Sequence, residues 1–195
     1  LYLDFGVWRG QSMQSWLELN ANPASRFFGF DSFSGLPHSW RSRPAGHFDV
    51  SGQMPQFNDS RATIVPGWFN ETLPKTFADL ELGEDATLLV HIDADLYSSA
   101  LYCLGFLAER TRRFHVMFDE FGAGEGRALR DVCEAWGAQF HPLLGVKRTS
   151  YSTVPTRTFG EFIGRPIQPA ENGPPQNDPR GTAGLPTGTA PVRSK

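Results

Sequence analysis

Five short apolar runs constrain this chain more than any other feature. They are Leu1–Phe5 before Gly6, Arg26–Phe30 before Asp31, Arg61–Val65 before Pro66-Gly67, Thr87–Ile92 before Asp93, and Phe114–Phe118 before Asp119-Glu120. Each is too short and too evenly apolar to be a half-exposed helix, and reads as a strand buried on both faces. Between them lie segments with helical spacing: Gln11–Leu19, Thr72–Leu80 entered through Pro74, Tyr97–Arg110, and Glu125–Trp136 with Leu129, Val132 and Trp136 on one face. Two weaker strands, Gln139–Leu144 and Arg157–Phe162, follow. The alternation predicts an α/β fold, a mostly parallel sheet of seven strands with helices on both faces. Residues 32–60, rich in Pro, Gly, Ser and Asn, read as one long loop.

Composition narrows the partners. The net charge is −3, so there is no basic excess to attract nucleic acid or an anionic membrane surface. No apolar run is long enough to span a membrane, and no signal peptide is visible. The two cysteines, Cys103 and Cys133, lie in apolar helical segments with no zinc or redox spacing, which fits buried residues in a reducing, cytoplasmic compartment. The chain opens inside a strand and without Met, so further N-terminal elements are expected upstream. From Gly164 the composition turns to Pro and Gly with almost no large apolar residue. Residues 1–163 are therefore read as the domain and 164–195 as a disordered tail.

In a parallel α/β sheet, ligands bind beyond the carboxyl ends of the strands, where the strand order reverses. That directs attention to Asp4–Gly10, Asp31, Gly67–Phe69, Asp93 and Asp119-Glu120. Gly6 and Gly10 flank a strand-to-helix turn that lets backbone approach a ligand, although a plain turn explains them equally well. Asp31, ending the second strand, is placed to accept hydrogen bonds from ribose hydroxyls; an Asx turn is its structural alternative. Together they suggest an adenosine-containing ligand. Asp93 ends the fourth strand on the same side as His91. Asp95, just before a helix, reads mainly as its N-cap. His91 reads either as a satisfied core residue or as a group that orients Asp93 or acts as a base. Arg41 and Arg43, beside Trp40, read mainly as a solvated loop face, with contact to a substrate as the alternative.

The segments YLDFGVWRGQS, FFGFDSFSGLP, VPGWFNETLP, HIDADLYSSA and VMFDEF, in this order, resemble the macrocin O-methyltransferase family of class I S-adenosylmethionine (SAM)-dependent methyltransferases. The resemblance covers roughly residues 1–163, and FDSFSGLP and HIDADLYSS are its most specific parts. It implies a Rossmann-like fold and methyl transfer from SAM to a hydroxyl of a small molecule, a sugar or glycosylated natural product. Enzymes of this kind often assemble as homo-oligomers. It also implies that Asp4, Gly6 and Gly10 line the methionine end of the cofactor, that Asp31 holds the ribose, and that Ser32 and Phe33 lie near the adenosine. Trp68 or Phe69 would approach the adenine, with core packing as their alternative.

In the resembled family, acidic residues matching Asp93, Asp119 and Glu120 bind magnesium. Hard oxygen ligands of this kind suit Mg²⁺ or Mn²⁺ rather than zinc. Asp93 is then the expected proton acceptor, with His91 behind it. Leu96 stands where catechol-type relatives carry a lysine. Two rivals remain. Asp93-Ala94-Asp95 matches the DxD motif of metal-dependent glycosyltransferases that use nucleotide-sugars. A Rossmann-like fragment that binds cofactor without catalysis is the other.

Overall fold

The computed structural model describes residues 1–80, 86–146 and 156–164. The tail from 165 onward, and with it the expectation of disorder, lies outside the described residues. The chain runs β1 (Tyr2–Phe5), α1 (Gln11–Leu19), β2 (Phe27–Asp31), β3 (Ala62–Pro66), α2 (Phe69–Ala78), β4 (Leu89–Ile92), α3 (Tyr97–Ala108), β5 (Arg113–Phe118), a π-helical turn (Phe121–Glu125), α4 (Gly126–Trp136), β6 (Gln139–Val146) and β7 (Arg157–Ile163). The strands form one seven-stranded sheet in the order β3-β2-β1-β4-β5-β7-β6. Strands β1 to β5 pair in parallel, while β7 runs antiparallel between β5 and β6. The expected α/β architecture is present.

The apolar runs become strands because both faces are covered. Every residue of β1 is buried, as are Phe27 and Phe30 of β2 and Phe114, Val116 and Phe118 of β5. Phenylalanine supplies much of this core: Phe5 stacks on Phe30 with centroids 5.2 Å apart, and Phe114 on Phe162 at 4.6 Å. Burying each such ring contributes roughly 2–3 kcal/mol. Helix α3 is apolar all round, with Ala100 and Cys103–Ala108 buried, because it packs against the sheet, α2 and α4 at once.

Some boundaries differ from the sequence reading. Helix α2 begins at Phe69, three residues before Thr72, and Pro74 lies inside it rather than at its entrance. Proline removes one main-chain hydrogen bond there, and the helix ends at Ala78. The π-helical turn before α4 has no signature in a pattern search, because its five residues, FGAGE, carry no periodicity. The long loop between β2 and β3 has internal order. The Leu36 N–H donates to the His47 carbonyl and the Leu36 carbonyl accepts from the Gly46 N–H, and Phe33 and Trp40 are buried.

Arg61 fastens the start of β3 to the end of α1. Its guanidinium binds Asp59 and the carbonyl oxygens of Leu17, Asn20 and Asn22. Cationic donors at a helix C-terminus satisfy carbonyls that the helix leaves unpaired. Arg61→Met keeps the aliphatic stem and removes the donors; we expect thermal unfolding to fall by roughly 5 °C, read by circular dichroism.

Candidate functional site

Chain order reverses at β1. The chain moves outward to β2 and β3, then crosses back to β4 on the other side of β1. The loops leaving β1 and β4 therefore part, and a cavity of about 670 Å³ opens at the carboxyl ends of the strands. Its wall includes Gly6, Val7 and Trp8 after β1, Asp31 and Ser32 after β2, Gly67–Asn70 after β3, Asp93–Asp95 after β4, and Asp119 and Glu120 after β5. Trp40, Arg43 and Phe48 of the long loop and Arg157 of β7 also line it.

Gly6 shows how tightly the centre is built. Its φ is +102°, and a Cβ there would lie 1.9 Å from the carbonyl oxygen of Asp93. Only glycine permits this approach. Asp31 uses both carboxylate oxygens to join loops: Oδ2 accepts from the Trp8 N–H at 2.7 Å and Oδ1 from the Phe33 N–H at 2.8 Å. The second bond is the Asx turn. A carboxylate has about four acceptor positions, so Asp31 retains capacity for a ligand beside this turn.

Of the residues expected to hold the cofactor, Gly6, Asp31, Ser32, Trp68 and Phe69 are on the cavity wall. Asp4, Gly10 and Phe33 are not. Asp4 is fully buried and faces His91, whose Nδ1 lies 2.9 Å from Asp4 Oδ1. Gly10 is packed beneath Pro55 and Phe57, and Phe33 is buried in the core. His91 is buried and lies off the cavity wall. Burial draws its pKa down, but the hydrogen bond and charge of Asp4, with Asp93 and Asp119, outweigh this and the net shift is upward.

Asp95 does not cap α3. The N-cap is Leu96, and no side chain caps the helix. Asp95 instead sits at φ +58°, centred between the Ala94 carbonyl and the Leu96 N–H, which are bonded at 2.5 Å. This is a γ-turn, a strained conformation that aspartate tolerates better than most residues. It leaves Asp95 on the cavity wall. Burial pushes the Asp93 carboxyl up to about 7, opposed by His91 and helped by Asp119, Asp95 and Asp4. Burial likewise raises Asp95 to about 6, opposed by Arg43 and helped by Glu120.

The three expected metal ligands share the wall, yet two of them are occupied. Asp119 Oδ1 is 2.5 Å from Arg157 Nε, and Glu120 Oε2 accepts from Arg41 Nη2 at 3.0 Å. Among the described residues no group of three or more His, Cys, Asp or Glu side chains is arranged to hold a metal ion. This arrangement gives no support to the Mg²⁺ or Mn²⁺ site expected from Asp93, Asp119 and Glu120, because arginines take up two of the three carboxylates. Glutamate at 120 reaches far enough to meet Arg41 on the opposite loop, a contact that could not be seen along the chain.

Other residues reach the wall as well. For Arg43 the structure favours the alternative reading over a solvated face. Its guanidinium lies 5.0 Å from the Trp40 ring centroid and 4.8 Å from that of Phe48, facing the cavity. Tyr102 and Arg157 also reach the wall. The pairing of Trp40 with two nearby arginines was the only sequence signal for this group.

The fold is that of class I methyltransferases. The chain superposes on CalS11, a TDP-rhamnose 3′-O-methyltransferase of calicheamicin biosynthesis, with TM-score 0.51 and 20% identity over 83% of this chain and 70% of that one. Similarity extends to the cofactor-bound Rv0187 protein from MTB, with TM-score 0.46 and 16% identity over 84% and 72%. It extends also to magnesium protoporphyrin IX methyltransferase from Synechocystis, with TM-score 0.43 and 15% identity over 85% and 70%. What the likeness to CalS11 shows is the fold. No protein-family profile and no curated protein sequence matches the chain. Among the described residues no helix is long and apolar enough to cross a membrane.

The raised carboxyls set a pH dependence. Asp93 and Asp95 hold their protons to about 7 and 6, against an ordinary value of 3.8. Between these values the folded chain binds more protons than the unfolded one. Their stabilising contribution is therefore complete below about pH 4 and is lost as pH rises through 6 and 7. Calorimetry of the ligand-free chain should give a smaller decline in Tm from pH 5 to pH 8 for Asp93→Asn than for the wild type.

Proposed function

We propose that this chain is a SAM-dependent O-methyltransferase that methylates a hydroxyl of a small molecule, a sugar or glycosylated metabolite, as its resemblance to the macrocin O-methyltransferase family suggests. One observation carries the reading. In a class I methyltransferase fold, a single cavity at the strand carboxyl ends holds both Asp31, suited to a ribose, and Asp93, suited to a proton.

The chemistry of the wall fits the cofactor. Asp31 would bind the ribose hydroxyls, with Ser32 beside it. Trp68 and Phe69 offer apolar surface to an adenine. The first turn of α1, with Gln11 and Ser12 on the wall, presents main-chain N–H groups to the cofactor's carboxylate. Asp93 and Asp95 give the cavity a negative field that suits a cationic sulfonium. Bound SAM supplies a methyl group carried on that sulfonium, open to attack by an oxygen nucleophile.

Asp93 is the group we assign to the proton. Burial holds its carboxyl near neutrality, so it accepts a hydroxyl proton more readily than an ordinary aspartate. Asp93 would take the proton of the acceptor hydroxyl, while bound SAM would supply the methyl group and its sulfur would keep the bonding pair of the broken carbon–sulfur bond. His91, off the wall and bonded to Asp4, would act on Asp93 through its charge rather than by touching substrate. Positioning the two reactants supplies much of the rate.

Calorimetric titration tests the cofactor assignment. SAM should bind with a micromolar Kd, and Asp31→Ala should weaken binding about 10- to 100-fold. Tight binding of a UDP-sugar with none of SAM would overturn the reading in favour of a glycosyltransferase. Radiolabelled methyl transfer to TDP-rhamnose and other deoxysugar nucleotides then surveys acceptors, and Asp93→Asn should lower transfer by about 100-fold or more.

A further inference from the structure

Glu125 is a fully buried acid that lies off the cavity wall. Its two oxygens are spent on main-chain N–H groups of two different loops. Oε1 accepts from Ala94 at 3.1 Å, and Oε2 accepts from Glu120 at 2.9 Å. Ala94 stands between Asp93 and Asp95, and Glu120 follows Asp119. We propose that Glu125 is a positioning residue: its carboxyl clasps the loop after β4 to the loop after β5, and so fixes how Asp93 and Asp95 face Asp119 and Glu120. Its consequence for catalysis rests on the methyl-transfer reading above; the clasp itself does not.

Capping alone does not account for Glu125. Its Oε2 bonds the N–H of Glu120, which precedes the π-helical turn that Glu125 ends, but its Oε1 leaves that segment for Ala94, 31 residues away. Burying a carboxyl is costly, and burial pushes this one up to about 8 against the pull of the two N–H donors. An apolar residue would fill the space at less cost but would leave the buried Ala94 N–H and the part-buried Glu120 N–H without their acceptor. The backbone is shaped to deliver the side chain. The π-helical turn seats against the start of α3, where a Cβ on Gly124 would lie 2.8 Å from the Tyr97 nitrogen. A Cβ on Gly126 would lie 2.2 Å from the Phe121 carbonyl oxygen. Isolated π turns inside α-helices are often found at functional sites.

Amide hydrogen exchange followed by NMR tests the clasp in the whole chain. In Glu125→Ala, the Ala94 and Glu120 amides should exchange about tenfold faster or more, while Val90 and Val116 keep their protection. Glu125→Gln offers a single carbonyl oxygen and should release only one of the two amides. Retained protection at both amides in either variant overturns the proposal, as does a uniform loss at all four positions. If the alanine variant fails to fold, the glutamine variant decides by the same criterion.

The catalytic consequence is read separately. S-adenosylhomocysteine affinity of Glu125→Ala should stay within about threefold of wild type, because the loops after β1 and β2 carry most of the assigned cofactor contacts. Transfer to whichever acceptor the wild type methylates should fall by about 100-fold, the cost of a displacement near 1 Å. Full transfer by Glu125→Ala overturns the positioning role. A wild type that binds no SAM and transfers no methyl group sinks the methyl-transfer reading, and the exchange measurement still judges the clasp.

Discussion

Parallel pairing of β1 with β4 brings the backbone of Gly6 against the carbonyl of Asp93, closer than any side chain would allow. Phe5 pairs with Ile92 in the last register position, and beyond the contact of Gly6 with Asp93 the two segments part. The cavity is the space they leave. Main-chain hydrogen bonding holds the strand ends at a fixed spacing, so only the loops above them can vary. The polar side chains of the site accordingly come from those loops, while the sheet beneath is dense with phenylalanine.

Loops that carry several carboxylates need something to hold them, and here each is held differently. Asp31 joins the first two through N–H groups of Trp8 and Phe33. Glu125 joins the loops after β4 and β5 in the same manner. Arg41 and Arg157 take up Glu120 and Asp119 through ion pairs, both arginines more than half exposed. Exposed ion pairs are weak and screened by salt, whereas bonds from a buried carboxyl to backbone resist competition by water. The rigid part of the site therefore lies toward the core, and the parts that can rearrange lie toward solvent.

Much of the fold was readable along the chain. All seven strands were anticipated within a few residues, since short apolar runs ended by Gly, Pro or Asp are a local signal. The π-helical turn was not, and α2 started early, because both depend on what the segment packs against. At the site, Gly6, Asp31 and Asp93 were visible because they follow strands. Arg43 read mainly as a solvated residue, and Glu125 carried no signal. One belongs to a loop without periodicity, and the other sits in a turn whose shape is set by its contact with α3.

By itself the sequence determined the alternation of strand and helix, the end of the sheet where chemistry belongs, and which residues leave each strand. These follow from local periodicity and from the geometry of parallel strands. Only the tertiary structure decided which charges meet. Asp4 and His91 pair across 87 residues, and Arg41 and Glu120 across 79. Whether a carboxylate faces a ligand, a histidine, an arginine or a pair of backbone amides is settled by how distant loops pack above the sheet. No local pattern carries that information, because the contacting groups share no element of the chain.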